Sequence, residues 1–174
     1  MNPLLQKLEG GDRRSVGRVD EVVAKVLADL ALFPVLIDGM LDSNPLIRMR
    51  AADAATKVVE KSGVQPLQPY KTKLLNEIAP IPQQEVRWHV AQLISRLDLT
   101  PAETGQAVAI LESYLNDKSK IVKTFAMQTL ADLAEREAAL RPRVLAQLEH
   151  LTATGSPAMQ SRGRKLLARL TNLP

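Results

Sequence analysis

The chain contains no cysteine, so neither a disulfide framework nor a thiolate metal site can exist in it, which is compatible with a reducing compartment such as the cytoplasm. Aromatic residues make up only 3% of it, with one Trp, two Tyr and two Phe, and no alternating apolar and polar run of useful length argues for a sheet. No apolar run approaches the ~20 residues that a membrane span requires. The opening segment Met1–Arg14 is too poor in apolar residues, and charged too early, for a signal peptide. There is no glycine-rich phosphate loop, no His-Glu-x-x-His and no nucleophile elbow, and the two histidines, His89 and His150, stand in different segments. His150 follows Glu149 near a predicted helix end, where a partly charged imidazole suits the negative terminus. These absences point away from an enzyme, a bound cofactor and a metal.

What the chain has is repetition. The segment Asp42–Val58 returns three times, and one apolar anchor per copy, Ile47, Val86, Val122 and Met159, sets offsets of 39, 36 and 37 residues. Periods of this size mean a solenoid. Four, seven, eight and eleven residues after each anchor stand Ala51, Ala54, Ala55 and Val58, then Val90, Leu93, Ile94 and Leu97. The later copies give Ala126, Thr129, Leu130 and Leu133, then Gly163, Leu166, Leu167 and Leu170. Such offsets share one side of a helix, so this small and apolar set is the expected core face.

Residues 1–17 are expected as a flexible lead-in or short helix, loosened by Gly10, Gly11 and Gly17. Val19, Val23, Val26, Leu27 and Leu30 repeat the core spacing and predict a capping helix over 18–32, with Asp20, Glu21, Lys25 and Asp29 on its outer face. Four helix pairs follow, over about 33–62, 63–98, 99–135 and 136–173, and residues 18–174 form one repeat domain. Punctuation supports these bounds. Asn44-Pro45 and Thr100-Pro101-Ala102-Glu103 are helix starts, the latter a capping box. Pro80 and Pro82 break the chain between two helices.

Paired helices at this period, with Asp42 and Asp117 each five residues before an anchor and Arg48, Arg87 or Lys123 directly after one, resemble HEAT repeats from about Val19 to Leu170. The resemblance implies an all-α, right-handed α-solenoid of about four helical-hairpin repeats with an N-terminal capping helix. It also implies an Asp–Arg ladder near the turns and second helices that line a concave face. The Asp position holds Ile81 and Thr154 in two units, and the Arg position holds Gln160 in the last, so the implied ladder is incomplete.

Charge is concentrated on the predicted second helices (45–61, 83–97, 118–133 and 157–170), which carry 13 Lys and Arg against 4 acids. Since the chain totals +4, the remainder carries −5. Offsets three and ten on these helices share a flank: Arg50 and Lys57, His89 and Arg96, Phe125 and Asp132, Arg162 and Arg169. Trp88 lies at offset two, where Met49 stands one unit earlier, and can anchor a partner there or pack on an adjacent helix. Phe33 and Tyr114 read as core or hinge residues and Tyr70 as a surface residue.

The expected site is therefore Arg50, Lys57, Trp88, His89, Arg96, Phe125, Arg162 and Arg169, on a non-catalytic scaffold that binds a protein with an acidic surface. The alternative is a nucleic-acid backbone held by the same cations. The family resemblance also admits DNA base excision, which would need base stacking at Trp88. No catalytic, metal or cofactor residue is assigned, and the oligomeric state is open.

Overall fold

The computed structural model describes residues 2–12 and 14–173, and every regular element among them is helical. The chain divides into two compact units, Met1–Asp98 and Leu99–Pro174.

In the first unit α1 (Pro3–Gln6), α2 (Val19–Ala28), α3 (Phe33–Gly39) and α6 (Gln84–Ile94) surround α4 (Pro45–Ser62), which packs directly on α2, α3 and α6. The helix starts follow from local chemistry. Asn2 Oδ1 accepts the Leu4 amide at 2.9 Å and Asn44 Oδ1 the Leu46 amide at 3.0 Å, with Pro3 and Pro45 in first turns that lack an amide partner in any case. α4 ends at Gly63, whose φ of +86° is the left-handed geometry that glycine tolerates.

The centre of α4 is alanine. Ala51, Ala52, Ala54 and Ala55 are all fully buried, and their short side chains let three helices approach one backbone. Gly39 serves the same purpose on α3: a Cβ there would lie 2.7 Å from Leu5 Cδ2 and 2.9 Å from Ala51 Cβ. Leu5 of α1 occupies that gap, and Leu4 and Leu8 are buried beside it. The lead-in thus contains a short helix that packs on α3 through Leu5.

Two expectations shift. In α2 the buried set is Val19, Val22, Val23 and Val26, whereas Leu30 is 43% exposed, since the helix ends at Ala28 and Leu30 begins a 3-10 turn. The predicted helix Leu67–Ile78 is a 3-10 turn (Gln68–Tyr70), one α-helical turn, α5 (Lys71–Lys73), and a π-helical turn (Leu74–Ile78) in succession. Ala79 donates to the Leu74 carbonyl at 2.9 Å, the wide bond of a π turn.

Polar side chains of the first unit knit its turns together. Arg48 Nη1 donates to the Asp42 and Ser43 carbonyls at 2.8 and 3.1 Å, and Arg87 Nε to the Ile81 carbonyl at 3.1 Å, so each arginine closes its own turn. Asp42 Oδ1 accepts the Asn44 amide at 2.8 Å within the turn. Gln83 joins the two turns, accepting Arg48 Nε at 2.9 Å and donating to the Pro45 carbonyl at 2.9 Å.

In the second unit α8 (Lys120–Arg136) is the central helix and packs on α7 (Pro101–Tyr114), α9 (Arg141–Thr154) and α10 (Pro157–Thr171). The Thr100–Glu103 capping box is formed in both directions, at 3.3 and 2.8 Å. Val122, Ala126, Thr129, Leu130 and Leu133 are buried as their spacing predicts, as are Met159, Gly163, Leu166 and Leu170, while Leu167 is half-buried. Phe33 and Tyr114 lie in the cores of their units.

Because Ala51 is enclosed by α1, α3 and α4, Ala51→Leu has no space to occupy. It is expected to cost about 2 kcal/mol. In a chain of this size that lowers the melting temperature by roughly 4–8 °C, read by circular dichroism.

Candidate functional site

Arg50 is the least expected residue of the first unit: a guanidinium only 1% exposed, with no ion pair among the described residues. Its five N–H groups meet main-chain carbonyls of the segment that links α1 to α2. Nη1 donates to Leu8 and Gly10 at 2.7 and 2.6 Å, Nη2 to Asp12 and Ser15 at 3.0 and 3.0 Å, and Nε to Ser15 at 3.2 Å. A guanidinium has five donors, so this one is saturated. The carbonyls converge because Gly10, Gly11 and Gly17 all adopt positive φ, and a Cβ at Gly17 would lie 3.0 Å from Arg50 Cζ. The glycines that look like flexibility in the sequence wrap the backbone around one side chain.

The wrapped segment forms one wall of a cavity of about 300 Å³. Arg14, Ser15 and Val16 face Met49, Arg50 and Asp53 of α4 and Glu85, Trp88 and His89 of α6. Three predicted site residues, Arg50, Trp88 and His89, thus share a cavity, and Met49 joins Trp88 there. Trp88 is half-buried with its ring centroid 5.9 Å from that of His89, and Val16 is 53% exposed.

His89 is held neutral. Burial pushes its pKa down to about 4, against a smaller opposing pull from Asp53, while Lys57 adds to the lowering. The Thr56 hydroxyl donates to the Ala52 carbonyl at 2.9 Å and lies 3.1 Å from His89 Nδ1. With its hydrogen given to Ala52, the Thr56 hydroxyl oxygen is an acceptor for His89 in the tautomer protonated at Nδ1.

Lys57 Nζ bridges two carboxylates, pairing with Asp53 Oδ2 at 3.1 Å and bonding Asp20 Oδ1 at 3.1 Å. Glu85 is 9% exposed in the first turn of α6, where the helix dipole favours its charge, and its contact from Gln84 is a weak 3.5 Å.

The remaining predicted residues stand elsewhere. Lys57 is tied to Asp20 and Asp53, and Arg96 is exposed beyond the end of α6. In the second unit Phe125 is half-buried on α8. Arg162 donates to Gln128 at 2.6 Å, Gln128 to Asp132 at 2.8 Å, and Arg169 bonds Asp132 at 2.8 Å and pairs with Glu135 at 2.5 Å. That chain fastens α10 to α8, so both arginines serve packing between helices. Sequence reasoning missed Asp53, Glu85 and the 14–16 wall. Asp53 and Glu85 were legible only as acids within basic helices.

No protein-family model matches this sequence, and no curated protein matches it. Among solved structures the chain is similar to an engineered protein at 16% identity and a TM-score of 0.58, covering 97% of this chain and 78% of that one. It is also similar to a computationally designed armadillo repeat protein for modular peptide recognition, at 19% identity and a TM-score of 0.56, covering 95% of this chain and 80% of that one. These likenesses establish the fold, an all-α helical repeat of the armadillo-like kind, in agreement with the period in the sequence. No helix is long and apolar enough to cross a membrane, and no group of acidic and histidine side chains is placed to hold a metal ion, among the described residues.

Replacing Arg50 by Met should free the 9–17 segment: hydrogen exchange of its amides is expected to accelerate at least tenfold, with a stability loss of about 3 kcal/mol. Unchanged protection would mean that the α1 leucines alone hold it. The pH dependence follows from His89. Its native pKa lies below the unfolded value of 6.5, so the unfolded chain takes up the proton first, and the stability present above pH 6.5 is lost as pH falls toward 4. The loss should be of order 3 kcal/mol, and His89→Gln should flatten that part of a stability–pH curve measured by urea unfolding.

Proposed function

We propose that the chain is a non-catalytic protein-interaction module that docks an extended peptide segment of a partner at the Trp88 cavity. The carrying observation is the cavity itself: about 300 Å³, walled by the 14–16 segment, α4 and α6, with Trp88 half-buried and Val16 exposed at it. That volume is at the lower end for ligand pockets and suits one inserted side chain. A half-buried Trp beside a buried Met is a typical anchor arrangement, since much apolar area is covered when a partner arrives. The designed armadillo repeat protein that shares the fold is described as made for modular peptide recognition, which supports a peptide as ligand.

A second reading, an acidic segment or a nucleic-acid backbone on basic side chains, is favoured by one observation. Lys118 and Lys120 stand exposed, and Lys123 half-buried, at the start of α8, where the first helical turn holds no acid and Ile121 is 51% exposed. Like charge at the positive end of a helix is unfavourable unless an anion joins it. The cations named from the sequence, Arg50, Lys57, Arg162 and Arg169, support this reading less, because their internal partners already engage them.

Selection from a displayed random 12-residue peptide library separates the two. Enriched peptides are expected to bind the chain in solution and to lose at least tenfold in affinity for Trp88→Ala. Equal affinity for that variant sinks the docking reading. If affinity instead collapses in Lys120→Glu/Lys123→Glu and falls steeply with salt, the second reading holds.

A further inference from the structure

The stretch between Leu8 and Val19 is held from beneath rather than by its own side chains. Leu8 and Val19 are fully buried posts at its ends, and every described residue from 9 to 17 is exposed, so none of them belongs to the core. Its amides bond locally: Arg14 donates to Asp12 Oδ1 at 2.9 Å, Ser15 to the Asp12 carbonyl at 3.3 Å and Gly17 to Ser15 Oγ at 3.0 Å. The hydrogen bonds that join it to α4 are those of Arg50, to the carbonyls of Leu8, Gly10, Asp12 and Ser15.

Releasing such a stretch uncovers little apolar surface. Each Arg50 bond is exchanged for bonds of both groups to water, a nearly balanced trade. The freed backbone regains conformational entropy, most of all at Gly10, Gly11 and Gly17. Gly11 and Gly17 lie directly against the Arg50 guanidinium, so their departure opens that charge to water, where it needs no protein partner. Leu8 and Val19 keep the ends in place. These are the properties of a segment that opens by itself, at lower free energy than the unfolding of the unit.

Arg14, Ser15 and Val16 of this stretch form one wall of the cavity, whereas Met49, Asp53, Glu85, Trp88 and His89 stand on α4 and α6. Clamped, the stretch encloses the cavity; released, it leaves the same helix side chains on an open surface. We propose that the stretch is a strap, latched by Arg50, which opens and closes independently of the helices, and that its closure builds the Trp88 cavity around an inserted side chain. The proposal rests on the peptide-docking reading for what is enclosed, while the opening is a property of the free chain. By linkage, a segment that binds only the closed form must hold the strap shut. The competing role is permanent shielding of Arg50, in which the strap leaves only when the whole unit unfolds.

Trp88 is the only tryptophan in the chain, so its emission reports on this cavity alone. Gly17→Ala strikes at the latch, since φ there is +57° and the added Cβ would lie 3.0 Å from Arg50 Cζ. Amide exchange of Ser15 and Gly17 in the free full chain, followed by NMR across a urea series below the unfolding transition, is expected to run at least a hundredfold faster than that of buried Ala54 and Ala55 and to be insensitive to urea. In Gly17→Ala the Ser15 amide should exchange at least tenfold faster again. The acrylamide quenching constant of Trp88 should rise at least twofold in that variant, while circular dichroism shows a folded protein. Strap amides that exchange at the rate of Ala54, with the same urea dependence, belong to global unfolding and overturn the proposal. Faster exchange with unchanged quenching separates the strap from the cavity and overturns it as well. If Gly17→Ala fails to fold, Gly11→Ala, at φ +74° and 3.5 Å from Arg50 Nη2, is read by the same criteria. A library-selected peptide at saturation should slow Ser15 exchange at least tenfold, and a peptide that binds without slowing it overturns the closing step. Failure to select any peptide sinks the docking reading instead, and exchange and quenching in the free chain then decide the strap by themselves.

Discussion

A buried guanidinium must give all its N–H groups to acceptors, and in this chain that requirement shapes the first unit. Arg50 is carried by a helix whose buried positions are mostly alanine and other apolar residues, and its five donors are met from outside α4. The acceptors come from residues up to 42 positions earlier, as main-chain carbonyls of a segment that turns back three times through positive-φ glycines. Holding that backbone costs conformational entropy, which the leucines of α1 offset by packing against Gly39 and α4. The cavity is a by-product of the wrapping: without the 14–16 wall, Asp53, Glu85, Trp88 and His89 would line an open helix surface.

Small side chains set the other constraint. Alanines along α4, and Ala126, Ala131 and Ala134 along α8, allow each central helix to touch three neighbours. Close approach brings the polar flanks together, so long cations bridge helices. Lys57 reaches Asp20 on α2, and Arg162 and Arg169 reach Gln128, Asp132 and Glu135 on α8. Exposed pairs of this kind contribute little each, but they occupy the donors that a partner would need.

The two layers of information were unequally legible in the sequence. Periodicity fixed the core because a buried helical face repeats every three or four residues whatever the partner, and Ile47, Val86, Val122 and Met159 with their followers, the half-buried Leu167 excepted, are buried as their spacing requires. Boundary signals such as Asn44-Pro45 and the Thr100–Glu103 box act over three residues and were equally plain. The Arg50 clamp was illegible, since its acceptors are carbonyls, which every residue has, and glycine reads the same whether a segment is loose or tightly wound. Regular helix over 67–78 failed for a related reason: the wide bond closing at Ala79 depends on tertiary fit and leaves no pattern in side-chain type. Trp88 stood out in the sequence as the single Trp, but its neighbours Asp53 and Glu85 vanished into a net charge.

That loss shows why formal charge is a poor guide to what a surface recognises. A tally of 13 cations against 4 acids favours an anionic ligand only if the cations have donors to offer. Arg50 has none left, Lys57 gives its hydrogen bond to Asp20, and Arg162 and Arg169 are engaged on α8. The same holds at the cavity: the saturated Arg50 contributes charge without a free N–H, and Lys57 is paired with Asp53. At short range and low dielectric, unmet hydrogen-bonding capacity selects the ligand, and net charge governs only the approach from a distance.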